Sequence, residues 1–161
     1  MPRPEAEVDL QPSVLDRLID DEPDVEVEAP AHRARRLADL KVQVKRDLEW
    51  LLNSRRAPLE IPAGLADVRD SLLTFGLPDF THANLSAGEG QAELRRSIER
   101  AIERFEPRLS DVVVTLVECR DFDRSLRFRI DARLRVEPAP EPITFDSLLK
   151  LPTKSFEVQA G

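Results

Sequence analysis

Among the side chains of this 161-residue chain that could do chemistry, the best placed are Glu106 and Arg108, held two residues apart by Pro107. A strongly amphipathic stretch, roughly Gly90 to Phe105, runs up to them, and an apolar run, Val112 to Val117, follows. Proline cannot continue a helix and biases Glu106 away from the helical region. The joint therefore marks where helix becomes sheet, with a carboxylate and a guanidinium at the break. A general acid needs its neutral form favoured, whereas a neighbouring guanidinium favours the ionised form, so Glu106 is a poor acid catalyst. A rigid joint presenting a fork of donors suits bidentate contact with a partner's carboxylate instead.

Other catalytic patterns are missing. His32, His82 and Cys119 are too few and too scattered to predict a zinc site. Cys119 closes an apolar run and is expected to be a plain buried thiol. Gly88-Glu89-Gly90 lacks the Lys and Ser/Thr of a phosphate-binding loop, and no Gly-x-Ser-x-Gly elbow occurs. With 31 acidic residues, carboxylate pairs arise by chance and do not identify a glycosidase cleft. No catalytic residue, cofactor or metal is expected.

The bulk composition narrows the class. A formal charge of −7 argues against a nucleic-acid partner. No stretch approaches the ~20 apolar residues of a membrane span, and Met1 to Leu10 does not resemble a secretory signal. A lone cysteine excludes an intramolecular disulfide framework and fits a cytoplasmic location.

Residues 1–30 read as a separate acidic, proline-rich leader, with Asp20-Asp21-Glu22-Pro23-Asp24 as its densest run of charge. Within it Ser13 can cap a short helix that puts Val14, Leu15, Leu18 and Ile19 on one face. That island either folds back on its own domain or docks in a partner's groove. Residues 31–161 are expected to form one domain. Leu37, Leu40, Val44, Leu48 and Leu51 predict a helix from about Ala31 to Ser54, with Lys41, Lys45 and Asp47 facing elsewhere and Trp50 beside the stripe, placed either to close the core or to anchor a contact. Pro58 and Pro62 bracket an edge strand or extended loop. Leu65, Val68, Leu72 and Phe75 predict a second helix ended by Gly76. The third opens at a capping box, Ser86 to Glu89. Leu94, Ile98, Ala101, Ile102 and Phe105 form its apolar stripe, and Arg96, Arg100 and Arg104, interleaved with Glu99 and Glu103, its solvated face.

Beyond the joint the period becomes two. Val112 to Val117 looks buried on both sides. Ser125 to Glu137 alternates: Leu126, Phe128, Ile130, Ala132, Leu134 and Val136 point one way, Arg127, Arg129, Asp131, Arg133 and Arg135 the other. Asp121 to Arg124 supplies a hairpin between these strands. After a break at Pro138, Pro140 and Pro142, Ile143 to Leu149 and Ser155 to Val158 form a last hairpin across Leu151 to Lys154. The fold class is α+β: N-terminal helices packed on one face of a small antiparallel or mixed sheet. The outward arginines are either protection against edge pairing or a surface for an acidic partner.

Several segments, in order, resemble the TssE family of type VI secretion baseplate subunits, part of the phage baseplate-wedge group that carries a lysozyme-related label. They are Ser13 to Leu18, Arg46-Asp47-Leu48-Glu49-Trp50-Leu51-Leu52-Asn53-Ser54-Arg55, Phe75-Gly76-Leu77-Pro78-Asp79, Phe105-Glu106-Pro107-Arg108, and Leu126 to Val136. The family usually carries Thr at the position of Ser54 and often a Gly near Lys154. The resemblance implies a non-enzymatic subunit in a baseplate docked at the inner membrane. Glu106, Pro107 and Arg108 would grip TssF-like and TssG-like wedge subunits. Edge strands would accept sheath subunits (TssB/TssC-like) by strand addition. The label's other implication, a cell-wall glycosidase, is the alternative.

Overall fold

The computed structural model describes residue 18 and residues 33–62, 64–81, 85, 88–117 and 125–160. Helix α1, Arg33–Asn53, carries the predicted stripe: Leu40, Val44, Leu48 and Leu51 are buried, and Leu52 joins them. Helix α3, Gly88–Phe105, buries Leu94, Ser97, Ile98, Ala101 and Ile102. Strands β1 (Leu109–Val117), β2 (Ser125–Leu134), β3 (Glu141–Lys150) and β4 (Ser155–Ala160) form one antiparallel sheet in the order β1-β2-β3-β4. Both long helices lie on the same face of the sheet and touch each other, α1 over β4 and α3 over β1. The architecture is the α+β arrangement that the sequence predicts.

The register explains the core. It sets Val114 beside Ile130, Ile130 beside Phe145, and Leu149 beside Phe156 on the helix-facing side. Phe128, Phe145 and Phe156 are each at most 1% exposed there, each worth about 1.5–3 kcal/mol of transfer free energy. Pro142 sits in β3 without harm. It pairs with Arg133 on β2, whereas β4 reaches only as far as Phe145, so no neighbour needs the missing N–H.

Two expectations are corrected. The stretch Leu65–Phe75 is not one helix. It is a single turn, α2 (Ala66–Arg69), followed by a 3-10 turn, Leu72–Thr74, with Leu65 and Leu72 exposed. Ser71 breaks the pattern: its backbone is extended and its hydroxyl accepts from the Leu73 N–H, a local bond that competes with helix continuation. Strand β1 is buried on one face rather than both. Val112 and Val114 face the core while Val113 is 54% exposed, because none of the described residues covers the far side of the sheet. A bulge between Ser110 and Val113, with Asp111 at φ 52°, adjusts its entry. Residues 57–62 take the loop alternative. The predicted cap at Ser86, the hairpin at 121–124 and Cys119 lie outside the described residues.

Candidate partner-binding site

The joint is a β-turn. The Leu109 N–H donates to the Glu106 carbonyl at 3.1 Å, placing Pro107 and Arg108 at the two central positions. Proline fits the first of these because its fixed φ matches the turn. The Glu106 N–H still donates to Ile102 (2.9 Å), so the turn grows directly out of α3. Arg135 N–H donates to the Arg108 carbonyl (2.8 Å), tying the turn to the end of β2.

The side chains close on themselves. Glu106 is 4% exposed. Its Oε1 accepts from Arg108 N–H (3.2 Å) and Nε (2.7 Å), and its Oε2 accepts from Nη2 (2.5 Å). The same Nη2 donates to Asp47 Oδ2 on α1 at 2.5 Å. Burial pulls the Arg108 guanidinium down from its ordinary range, but the bonds to Glu106 and Asp47 outweigh it and the net shift is upward. Arg108 Nη1 is buried and finds no hydrogen-bond partner among the described residues. From Asp47 the network continues to Arg46, whose Nε and Nη2 donate to Oδ1 at 3.1 and 2.9 Å and whose guanidinium lies 5.0 Å from the Trp50 ring centre. Trp50 is 52% exposed, so it faces solvent beside the joint instead of closing the core.

A second polar knot lies at the end of α1. Asn53 Nδ2 donates to the Phe156 carbonyl (2.9 Å) while its Oδ1 accepts the Phe156 N–H (2.8 Å). Arg55 donates to the carbonyls of Leu52 (2.9 Å) and Lys154 (2.7 Å), and its guanidinium lies 4.4 Å from the Phe80 ring centre. Burial lowers the Arg55 pKa, with Asp79 opposing. The Ser54 carbonyl accepts from Leu77 N–H and the Leu77 carbonyl from Arg56 N–H, both at 2.9 Å. Gly76, at φ +96°, makes this approach possible: a Cβ there would stand 2.5 Å from the Ser54 carbonyl oxygen. The last turn of the sheet, residues 151–154, closes with Lys154 itself at φ 56°.

Both edge strands carry a side-chain cap at one residue. On β4 it is Asn53 at Phe156. On β1, Glu99 Oε1 accepts from Val114 N–H (3.0 Å) and Arg95 Nη1 donates to the Val114 carbonyl (3.3 Å). In an antiparallel strand the outward peptide groups recur every second residue. On β4 those beyond Phe156 therefore belong to Val158 and Ala160.

Of the predicted contact residues, Glu106, Pro107 and Arg108 are brought together. Arg127, Arg129 and Arg133 lie exposed on the open face of the sheet, and Arg135 is exposed just beyond β2. The open face is less one-sided than β2 alone implies. The register sets Asp146 against Arg129 (3.4 Å), the Thr144 hydroxyl donates to Asp131 (2.7 Å), and Lys150 pairs with Glu157. Leu18 is in helical backbone and 77% exposed; Val14 and Leu15 lie outside the described residues. Sequence reasoning did not assign Asp47 to the joint or Asn53 to the sheet edge. The one available signal was that both sit in the Arg46 to Arg55 run that carries the resemblance.

Among the described residues no helix is long and apolar enough to cross a membrane, and no group of three or more His, Cys, Asp and Glu is placed to hold a metal ion. The described residues thus form two long helices on one face of a four-stranded sheet, with a clamped polar joint and a side-chain cap on each sheet edge. Residues 38–139 match the family described as baseplate wedge protein gp25, and the chain belongs to that family. The match runs from α1 through β2 and so includes Asp47, Asn53, Gly76 and the joint. No curated protein matches the chain.

Proposed function

We propose that this baseplate subunit serves a contractile type VI secretion machine in the cytoplasm, as a non-enzymatic wedge component that joins TssF-like and TssG-like subunits and offers a strand edge to the first sheath ring. The observation that carries the reading is the joint, which lies inside the family match and projects a prepaid geometry. Arg108 is locked by Glu106 and Asp47, so a partner meets a turn already in its bound shape. The exposed Pro107 and the part of the Arg108 side chain that still reaches the surface are what a wedge partner can meet at this turn. Trp50, exposed beside the joint, adds an aromatic anchor. Strand addition is supported by the β4 edge past Phe156, where the outward groups of Val158 and Ala160 are not taken by any described residue and could pair with a fifth strand.

The experiment is co-purification of tagged protein from its native cells, wild type beside Arg108→Ala and Ala160→Pro. Wild type is expected to carry TssF-like and TssG-like chains, and Arg108→Ala to lose them while its folded fraction is still recovered. Ala160→Pro removes one outward N–H without touching the core and is expected to keep the wedge chains but lose sheath assembly. Normal wedge capture by folded Arg108→Ala would remove the joint from the interface. Normal sheath assembly by Ala160→Pro would remove this end of β4 from it.

A further inference from the structure

Between α3 and residues 56–61 lies an open cleft of about 700 Å³. Four arginines line it: Arg56 just past the end of α1, Arg69 on α2, and Arg100 and Arg104 on α3. Two carboxylates, Glu60 and Asp79, line it as well, so the lining carries a net positive charge in a chain of net charge −7. Arg104 is paired with Asp70 at 3.2 Å. Among the described residues no carboxylate pairs with Arg56, Arg69 or Arg100; Arg100 spends its Nε on the Arg96 carbonyl. Apolar surface shares the lining, with Leu59 54% exposed. A groove of this composition fits an extended segment rich in carboxylates with small apolar contacts between them.

We infer that the cleft binds the chain's own acidic run, Asp20-Asp21-Glu22-Pro23-Asp24. This is the densest concentration of negative charge in the leader, and its length to the domain fits the distance. Helix α1 has 21 residues, about 30 Å at 1.5 Å per residue, and the cleft begins just past its C-terminal end, at Arg56. Asp24 and Asp20 precede Arg33 by nine and thirteen residues, about 30 and 43 Å of extended chain. Glu26 and Glu28 are too close to Arg33 to get there. The proline in the run favours the extended backbone that such a groove accepts. This inference does not depend on the joint contacting wedge subunits.

Disulfide trapping in the full chain tests it. With the native thiol removed by Cys119→Ser, Asp21→Cys is combined with Leu59→Cys, and Glu28→Cys with Leu59→Cys serves as the reach control. The first pair is expected to form an intrachain disulfide at least ~10-fold faster than the control. Neutralising the run by Asp20→Asn, Glu22→Gln and Asp24→Asn is expected to remove that advantage, as is Arg69→Glu with Arg100→Glu. High salt should weaken it too, since partly exposed pairs are screened. Equal rates for the two pairs, or a rate indifferent to both sets of charge changes, would overturn the inference. Disulfides found only between two chains would overturn it in favour of a second copy as occupant.

Discussion

At Gly76 a hydrogen atom stands where any side chain would meet the Ser54 carbonyl. Gly76→Ala must accept both an unfavourable φ and a contact far inside van der Waals range. It is expected to lower unfolding free energy by about 3 kcal/mol, read by urea denaturation. Lys154 presents the opposite case, since a lysine occupies a left-handed position that glycine fills at no steric cost. Lys154→Gly is expected to raise stability by about 0.5–1 kcal/mol in the same assay, and a loss would show that the lysine is holding the turn by other means. Arg108→Ala leaves the buried Glu106 carboxylate without its ion-pair partner, while Asp47 keeps Arg46, and is expected to cost about 3 kcal/mol, with Arg108→Lys recovering part. Because the folded-state pKa of Arg108 lies above its ordinary value, its contribution is complete at any pH below that ordinary value. It is lost only beyond it, so the cost should be the same in neutral and moderately alkaline buffer.

At the level of helices and strands, the recurring device is a side chain reaching from helix to sheet edge. Asn53 holds both peptide groups of Phe156, and Glu99 with Arg95 holds both of Val114. Such caps fix the helices to the strands and also deny those edges to stray pairing. Asn53→Ala is expected to lose about 2 kcal/mol of stability and to aggregate faster on mild heating, seen by light scattering. Loss of stability without faster aggregation would leave the cap a purely intramolecular tie. These caps were hard to read from sequence. In sequence Asn53 is only the residue near a helix end and Glu99 one member of a solvated charge ladder, because both roles are set by what lies across the interface. The 65–75 segment misled for a related reason: its leucines have helical spacing, but Ser71 offers a local alternative and no packing partner pulls Leu72 inward.

At the scale of the whole fold, one face of the sheet is covered by α1 and α3, and among the described residues nothing covers the other. The open face carries Arg127, Arg129 and Arg133, tempered by Asp146 and Glu157 from the neighbouring strands. If an acidic partner uses this face, Arg127→Glu with Arg133→Glu is expected to reduce its capture in a salt-dependent pull-down. Stability should stay within about 0.5 kcal/mol, as both side chains are exposed. Unchanged capture would assign the arginines to edge protection. Local periodicity was enough to specify α1, α3, the alternation of β2, the last hairpin and the helix-to-strand joint, because each follows from residues close together in the chain. Only the tertiary structure decided that Asp47 completes the joint from sixty-one residues away, that β1 has a bare outer face, and which peptide groups on the sheet edges are already taken. Those outcomes depend on distant elements meeting, and hydrophobic spacing along one segment carries no record of its partner.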